Sequence, residues 1–383
     1  MKDFCNFKAS SSVESLCLKV QSSPSESDVS QNYMKRYSYQ IILVFIIAII
    51  FSGCKKKYDL VHSKSKWMKD YFEEIKSGNY PNIYAISWWH EDFDDTYLTI
   101  NSSKHSKNTY RDLVNDDIFI TSCSFSNKKL VPVAGKIYHS AFPDFAGTED
   151  EVTAEHIDNF ESLAGKEIAW AYFSNNWLDS LIFPKTAVDV ISNKGKTPFI
   201  RLMFRSVFEE NQNDPKYKMI DIINGKYDNA IIAWAHEAKD CGTNLLAEFG
   251  TEVNGIWFSW NGYYYGGGTT NGYGDPDYPD GPEIFRDSYR HIIDLCNQQG
   301  CDNITWFFHF DVNDDPEEWW NYPTYYYPGD NYIDWIGVST YGPFQRGDDY
   351  VKPKELISKA YKKMKNVSTN KPYAILEFGI TEL

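Results

Sequence analysis

Two carboxylates, each closing a short apolar run, are the residues of this chain best suited to chemistry. The first is Glu252, in the stretch LLAEFGTEVNGIWFSWNG from Leu245 to Gly262. Glu248 precedes it, and Asn254, Gly255, Trp257, Phe258 and Trp260 follow. The second is Glu377, in KPYAILEFG. One carboxyl can give a proton to a glycosidic oxygen while another attacks the anomeric carbon, and indole faces stack on pyranose rings. Alone, the first stretch reads equally as a strand end with core aromatics. The second strand-end carboxylate tips the balance toward sugar cleavage.

Both carboxylates need a scaffold that brings strand ends together. Apolar runs place strands at about 82–91, 133–141, 167–173, 197–204, from Leu245, 303–310, 332–340 and 372–378. Helical patterns alternate with them, at about 65–76, 154–163, 185–193, 229–240, 283–299 and 352–365, and 101–115 reads as an extended segment followed by a helix. Short continuous apolar strands alternating with helices describe a parallel sheet covered on both sides. Eight such units predict a closed (β/α)8 TIM barrel, with its chemistry at the C-terminal strand ends. Trp88 to Glu91, Tyr138-His139, Tyr172-Phe173, Arg201 to Arg205, Glu252, His309, Tyr341 and Glu377 all sit at or near such ends.

Composition narrows the function classes. The 383 residues suit one large barrel, and the net charge of −15 argues against nucleic-acid binding. Aromatics at 17% exceed what a core needs and fit a carbohydrate cleft. With no phosphate-binding glycine loop and no zinc-ligand spacing, no cofactor and no metal are expected. Asp275, Asp277 and Asp280 read as a solvated rim of the cleft rather than a calcium site. Cys123, Cys241, Cys296 and Cys301 read as buried thiols, with Cys296 and Cys301 close enough in sequence to bridge. At the N-terminus, residues 1–33 are polar and unpatterned. Met34 then opens a basic flank, an apolar run from Ile41 to Phe51, and Ser52-Gly53-Cys54. That order resembles a bacterial lipoprotein signal lipidated at Cys54, which implies an extracytoplasmic, membrane-anchored domain over 58–383.

The stretch Glu252 to Trp260 is similar to the acid/base motif of the family 26 glycoside hydrolases of clan A, which include β-mannanases. Glu377-Phe378-Gly379 resembles that family's nucleophile strand, and Asp334 to Tyr341 its strand ending in a tyrosine that hydrogen-bonds the nucleophile. The resemblance implies Glu252 as acid/base, Glu377 as an ionised nucleophile, and a monomer acting on a β-linked polysaccharide, β-mannan first. Around the substrate it suggests Tyr341, Trp257, Trp260, Trp88, Trp89, His309, Asn254 and Arg201, with Glu248 structural or substrate-orienting. The chain departs from the pattern twice. Thr251 stands where the family has His, and Glu248-Phe249 where it has Arg-Pro. A lipid-anchored glycan-binding protein with a degenerate site is therefore the alternative. The carboxylates also follow the fifth and eighth strands instead of the fourth and seventh, which suggests a circular permutation that moved the last strand to the front, with a truncated tandem whose strand at 82–91 closes a lost neighbour as the alternative.

Overall fold

The computed structural model describes residues 63–382, except positions 94 and 346. Cys54 and the lipoprotein signal lie outside the described residues. The eight barrel strands are β1 Ile83–Trp89, β2 Ile137–Phe142, β3 Trp170–Asn176, β4 Thr197–Met203, β5 Leu245–Phe249, β6 Ile304–Asp311, β7 Trp335–Tyr341 and β8 Tyr373–Gly379. Each runs parallel to the next. β1 closes the sheet by pairing in parallel with β2 (Ala85 opposite Tyr138) and with β8 (Ile83 opposite Tyr373). These two pairings close the eight-stranded barrel. β6 and β8 are buried along their whole length, as expected of strands covered by the barrel lumen on one face and helices on the other.

The helices are α1 Lys64–Lys76, α2 Lys104–Val114, α3 Ala154–Ala164, α4 Lys185–Asn193, α5 Met219–Ile223, α6 Asp228–Asp240, α7 Asp280–Gln298 and α8 Pro353–Val367. Caps explain several starts. The Ser63, Ser103 and Thr153 hydroxyls accept N–H groups of the first turns of α1, α2 and α3. Among the described residues, no helix is long and apolar enough to cross a membrane.

Two local expectations need correction. The second strand starts at Ile137, not 133, because Gly135 takes a left-handed φ of 68° and the chain turns there. The third runs from Trp170 to Asn176, three residues beyond its apolar run, because Ser174, Asn175 and Asn176 pair with β4. The four described cysteines are free thiols, with Cys296 and Cys301 unbridged. A five-residue α5 and the short ladders around Asp92–Tyr97 and Phe125–Leu130 carry no periodic signal long enough to read.

The lumen is filled with rings. Phe307 stacks on Trp335 at 5.6 Å, and Phe199 lies 4.7 Å from Phe307 and 4.6 Å from Tyr172. This aromatic plug closes the barrel below, so the polar residues above it meet only at the C-terminal mouth.

Candidate active site

β5 stops at Phe249 because the next residues leave extended geometry. Gly250 and Glu252 both have positive φ, 64° and 46°. Gly250 leaves room for Phe285, which would lie 2.6 Å from an added Cβ. For Glu252, a left-handed backbone costs about 1–2 kcal/mol, and such strain is held only where the surroundings fix it. The turn aims the Glu252 carboxyl over the barrel mouth. There Trp257 donates its indole N–H to Oε2 at 2.9 Å. Gly255 permits this, since a Cβ there would sit 2.2 Å from the Trp257 ring.

Glu377 arrives differently, on the regular strand β8. It accepts the Tyr341 hydroxyl at 2.8 Å and the Tyr172 hydroxyl at 3.3 Å, and Arg201 stands 3.5 Å away. One carboxylate oxygen of Glu252, one of Glu377 and a ring nitrogen of His309 all lie within 4.8 Å of one another. A cleft of about 730 Å³ opens above the two carboxylates. Trp89, Trp257, Phe258, Phe93 and Phe344 supply its apolar walls.

Beneath the carboxylates lies a buried ionic layer. His309 Nδ1 meets Glu248 at 3.1 Å and Thr251 Oγ1 at 2.9 Å, while Nε2 meets Ser339 Oγ at 2.8 Å. Tyr172 also hydrogen-bonds Glu248. Arg201 faces Glu248 across the β4–β5 ladder, their charged atoms 3.7 Å apart. Glu248 and Thr251 thus take their polar partners from neighbouring strands, Arg201 from β4 and His309 from β6. Both His309 nitrogens are engaged with protein partners.

Burial sets the protonation states. Glu252 is pushed up to about 7 by desolvation and then by the nearby Asp311 carboxyl. Desolvation also raises Glu377 to about 7, against the pull of Arg201. Burial there outweighs the guanidinium. The two groups titrate as a pair. The first proton to leave comes from Glu377, because Arg201, Tyr341 and Tyr172 all stabilise its anion. Glu248 behaves oppositely. Burial alone would raise it, but the charge and hydrogen bond of His309, with Arg201 and Tyr172, hold it below the usual carboxylate range. Burial would lower His309, and the Glu248 charge overrides that and raises it.

Of the residues singled out from sequence, Glu252, Glu377, Tyr341, Trp257, Trp89 and Arg201 line the cleft. Others do not reach it. Trp88 is buried against Tyr110 and Phe378, because adjacent strand residues point to opposite faces and Trp89 takes the cleft side. Trp260 is buried against Phe258 and donates to the Thr251 carbonyl. Asn254 is a loop clamp: its amide binds the Asp311 and Asn313 carbonyls and its oxygen accepts the Asp311 N–H. His309 and Glu248 form the ionic layer below. His139 is buried between the Tyr110 hydroxyl and the Glu167 carbonyl. Asp280 is satisfied by Thr269, Gly272 and Tyr273. Sequence reading missed Glu149, Asp311, Phe93 and Phe344. They sit on irregular loops or at the last residue of a strand, where no periodicity marks them.

Residues 204–372 match the family model described as glycosyl hydrolase family 26, a stretch that holds Glu252 and Tyr341 and stops before Glu377. Endoglucanase H of Acetivibrio thermocellus is 28% identical over 244 residues, covering 62% of this chain and 24% of that protein. The chain thus spans about a quarter of the length of this relative. Among solved structures, a mannanase of Bacillus subtilis aligns over 81% of this chain and 83% of its own, at 14% identity and a TM-score of 0.41. A β-mannanase of Bacteroides ovatus aligns over 82% and 76%, at 15% identity and a TM-score of 0.39.

Proposed function

From the premise that this chain belongs to glycosyl hydrolase family 26, we propose that its cleft cleaves a β-linked polysaccharide by double displacement with retention of configuration. The observation that carries the reading is the approach of Glu252 and Glu377 oxygens to within 4.8 Å on the floor of one cleft. Retaining enzymes keep their carboxyls about 5–5.5 Å apart, and inverting enzymes hold them farther apart to admit water. Glu377 attacks the anomeric carbon as the better-stabilised anion. Glu252, holding the remaining proton, gives it to the departing glycosidic oxygen. Glu252 then takes a proton from water, which displaces Glu377 from the glycosyl-enzyme.

β-Mannan is the first substrate proposed, on the motif around Glu252. β-Glucan is the second, favoured by the similarity to Endoglucanase H. A purely glycan-binding protein is the less favoured reading, because two buried carboxylates near 7 are a cost that binding alone does not require. Reducing-sugar release from mannan, mixed-linkage glucan and xylan decides among these. Release from none of the three overturns the hydrolase reading.

Two further parts belong to the proposal. The chain order is read as a circular permutation, because Glu252 follows β5 and Glu377 lies on β8. Cys54 is read as a lipidation site, so Cys54→Ser moves the protein to the soluble fraction; a variant that stays membrane-bound with residues 34–53 intact overturns the anchor.

A further inference from the structure

The loop after β2 carries more left-handed backbone than its sequence explains. Asp144, Ala146 and Glu149 have φ of 57°, 63° and 59°, and none of them is glycine. Such strain persists where surrounding contacts fix it. The contacts here converge on one side chain. The Glu149 N–H binds the Ala146 carbonyl at 2.7 Å, and the Glu149 carbonyl accepts the Ser174 N–H at 2.8 Å. The carboxylate turned inward by that backbone takes Arg201 Nη1 at 2.6 Å and the Ser174 hydroxyl at 2.5 Å.

Arg201 is 2% exposed and lies between unlike demands. Toward the cleft it meets Glu149, and toward the barrel axis it meets Glu377 at 3.5 Å and Glu248 at 3.7 Å. Its Nε is buried without a hydrogen-bond partner. Of its close contacts, only the one to Glu149 has good hydrogen-bond length. We propose that Glu149 is a positioning residue, which holds the Arg201 guanidinium beside Glu377 and draws off part of its charge. This rests on the reading of Glu377 as nucleophile.

The charged neighbours of Glu377 are Arg201 on β4, Glu248 on β5, Glu252 beyond β5, and His309 and Asp311 on β6, with the Tyr172 and Tyr341 hydroxyls as donors. Those of Arg201 on the cleft side are Glu149 and Arg205, with Glu91 and Glu210 farther out. Among these, Glu149 alone is hydrogen-bonded to Arg201, so a change at 149 alters the guanidinium's field most directly. Removing the Glu149 charge while keeping its shape leaves the guanidinium's field to Glu377 and Glu248. The Glu377 anion is then easier to form.

The test needs no turnover. In full-length chain labelled with 13C at glutamate Cδ, the Glu377 signal is assigned by its loss in Glu377→Gln, and its titration midpoint is followed. Glu149→Gln is expected to lower that midpoint by about one pH unit, a tenfold change in ionisation constant. Glu149→Asp is expected to restore most of it. Ser174→Ala is expected to move the midpoint up, since Glu149 then gives more of its charge to Arg201. An unmoved or raised midpoint in Glu149→Gln overturns the proposal. So does an unmoved midpoint in Ser174→Ala, which keeps the test valid should the first variant not fold. If Glu149 instead only contacts sugar, these midpoints stay fixed and KM alone changes. Failure to hydrolyse any β-glycan defeats the hydrolase reading and leaves this measurement unaffected.

Discussion

Glu252 and Glu377 reach the same cleft floor on unlike supports. Glu252 sits on a left-handed turn just beyond its strand, with the Trp257 indole as its donor. Glu377 sits inside a regular strand, with Tyr341, Tyr172 and Arg201 around it. Burial pushes both to about 7, so burial does not separate their roles. Donor count does: negative charge is better solvated at Glu377, and the shared proton stays on Glu252. On the proposed mechanism, two similar acids become nucleophile and proton donor through what surrounds them.

The largest expected loss comes from removing the better-supported anion. Glu377→Ala should lower turnover by about 10⁴-fold or more on polysaccharide and on activated aryl glycosides alike, because the covalent step disappears. External azide should restore activity with inverted product. Survival of activity on aryl glycosides would reverse the assignment of the pair.

Glu252→Ala should cost about 10²–10⁴-fold on polysaccharide. It should spare the first step on substrates whose leaving group needs no proton. Pre-steady-state release of the aryl group measures this; equal losses on both substrates would remove Glu252 from the acid role.

Next comes the pH profile. Productive enzyme carries one proton on the pair, so kcat/KM should trace a bell centred near neutrality, its acid limb from Glu377 and its basic limb from Glu252. Tyr341→Phe removes the 2.8 Å donor from the Glu377 anion. Glu377 then holds its proton more tightly, so the acid limb should shift to higher pH and kcat fall about 10–100-fold. A shift of the basic limb instead would mean that Tyr341 serves the other carboxylate.

Gly255→Ala probes the weaker support. The new Cβ would overlap the Trp257 ring, so the indole must leave Glu252. The Glu252 anion loses its donor, and the basic limb should move up with a loss of about tenfold or less.

The smallest effect is on stability. The proton affinity of Glu252 is raised on folding, from the ordinary 4.5 to about 7. Above 4.5 the folded state binds more protons than the unfolded one, so stability declines as pH rises toward 7. Glu252→Gln should therefore raise Tm at pH 8 by about 2–4 °C, with the gain vanishing near pH 4. Calorimetry at both pH values checks the sign.

Much of this was legible in the sequence. Eight apolar runs spaced by helical periods name the barrel, and Glu252, Glu377 and Tyr341 stand out at run ends, because both signals lie in contiguous residues. What only the tertiary structure decided is which strand-end neighbours face the cleft and which charges meet. Trp88 and Trp89 differ by one position, and strand alternation sends one into the helix layer and one to the substrate side. Arg201 meets Glu149 and Glu377, and His309 meets Glu248 and Thr251, across gaps of dozens to more than a hundred residues. No local pattern encodes such pairs, because they depend on how the strands close and on the low dielectric that closure creates.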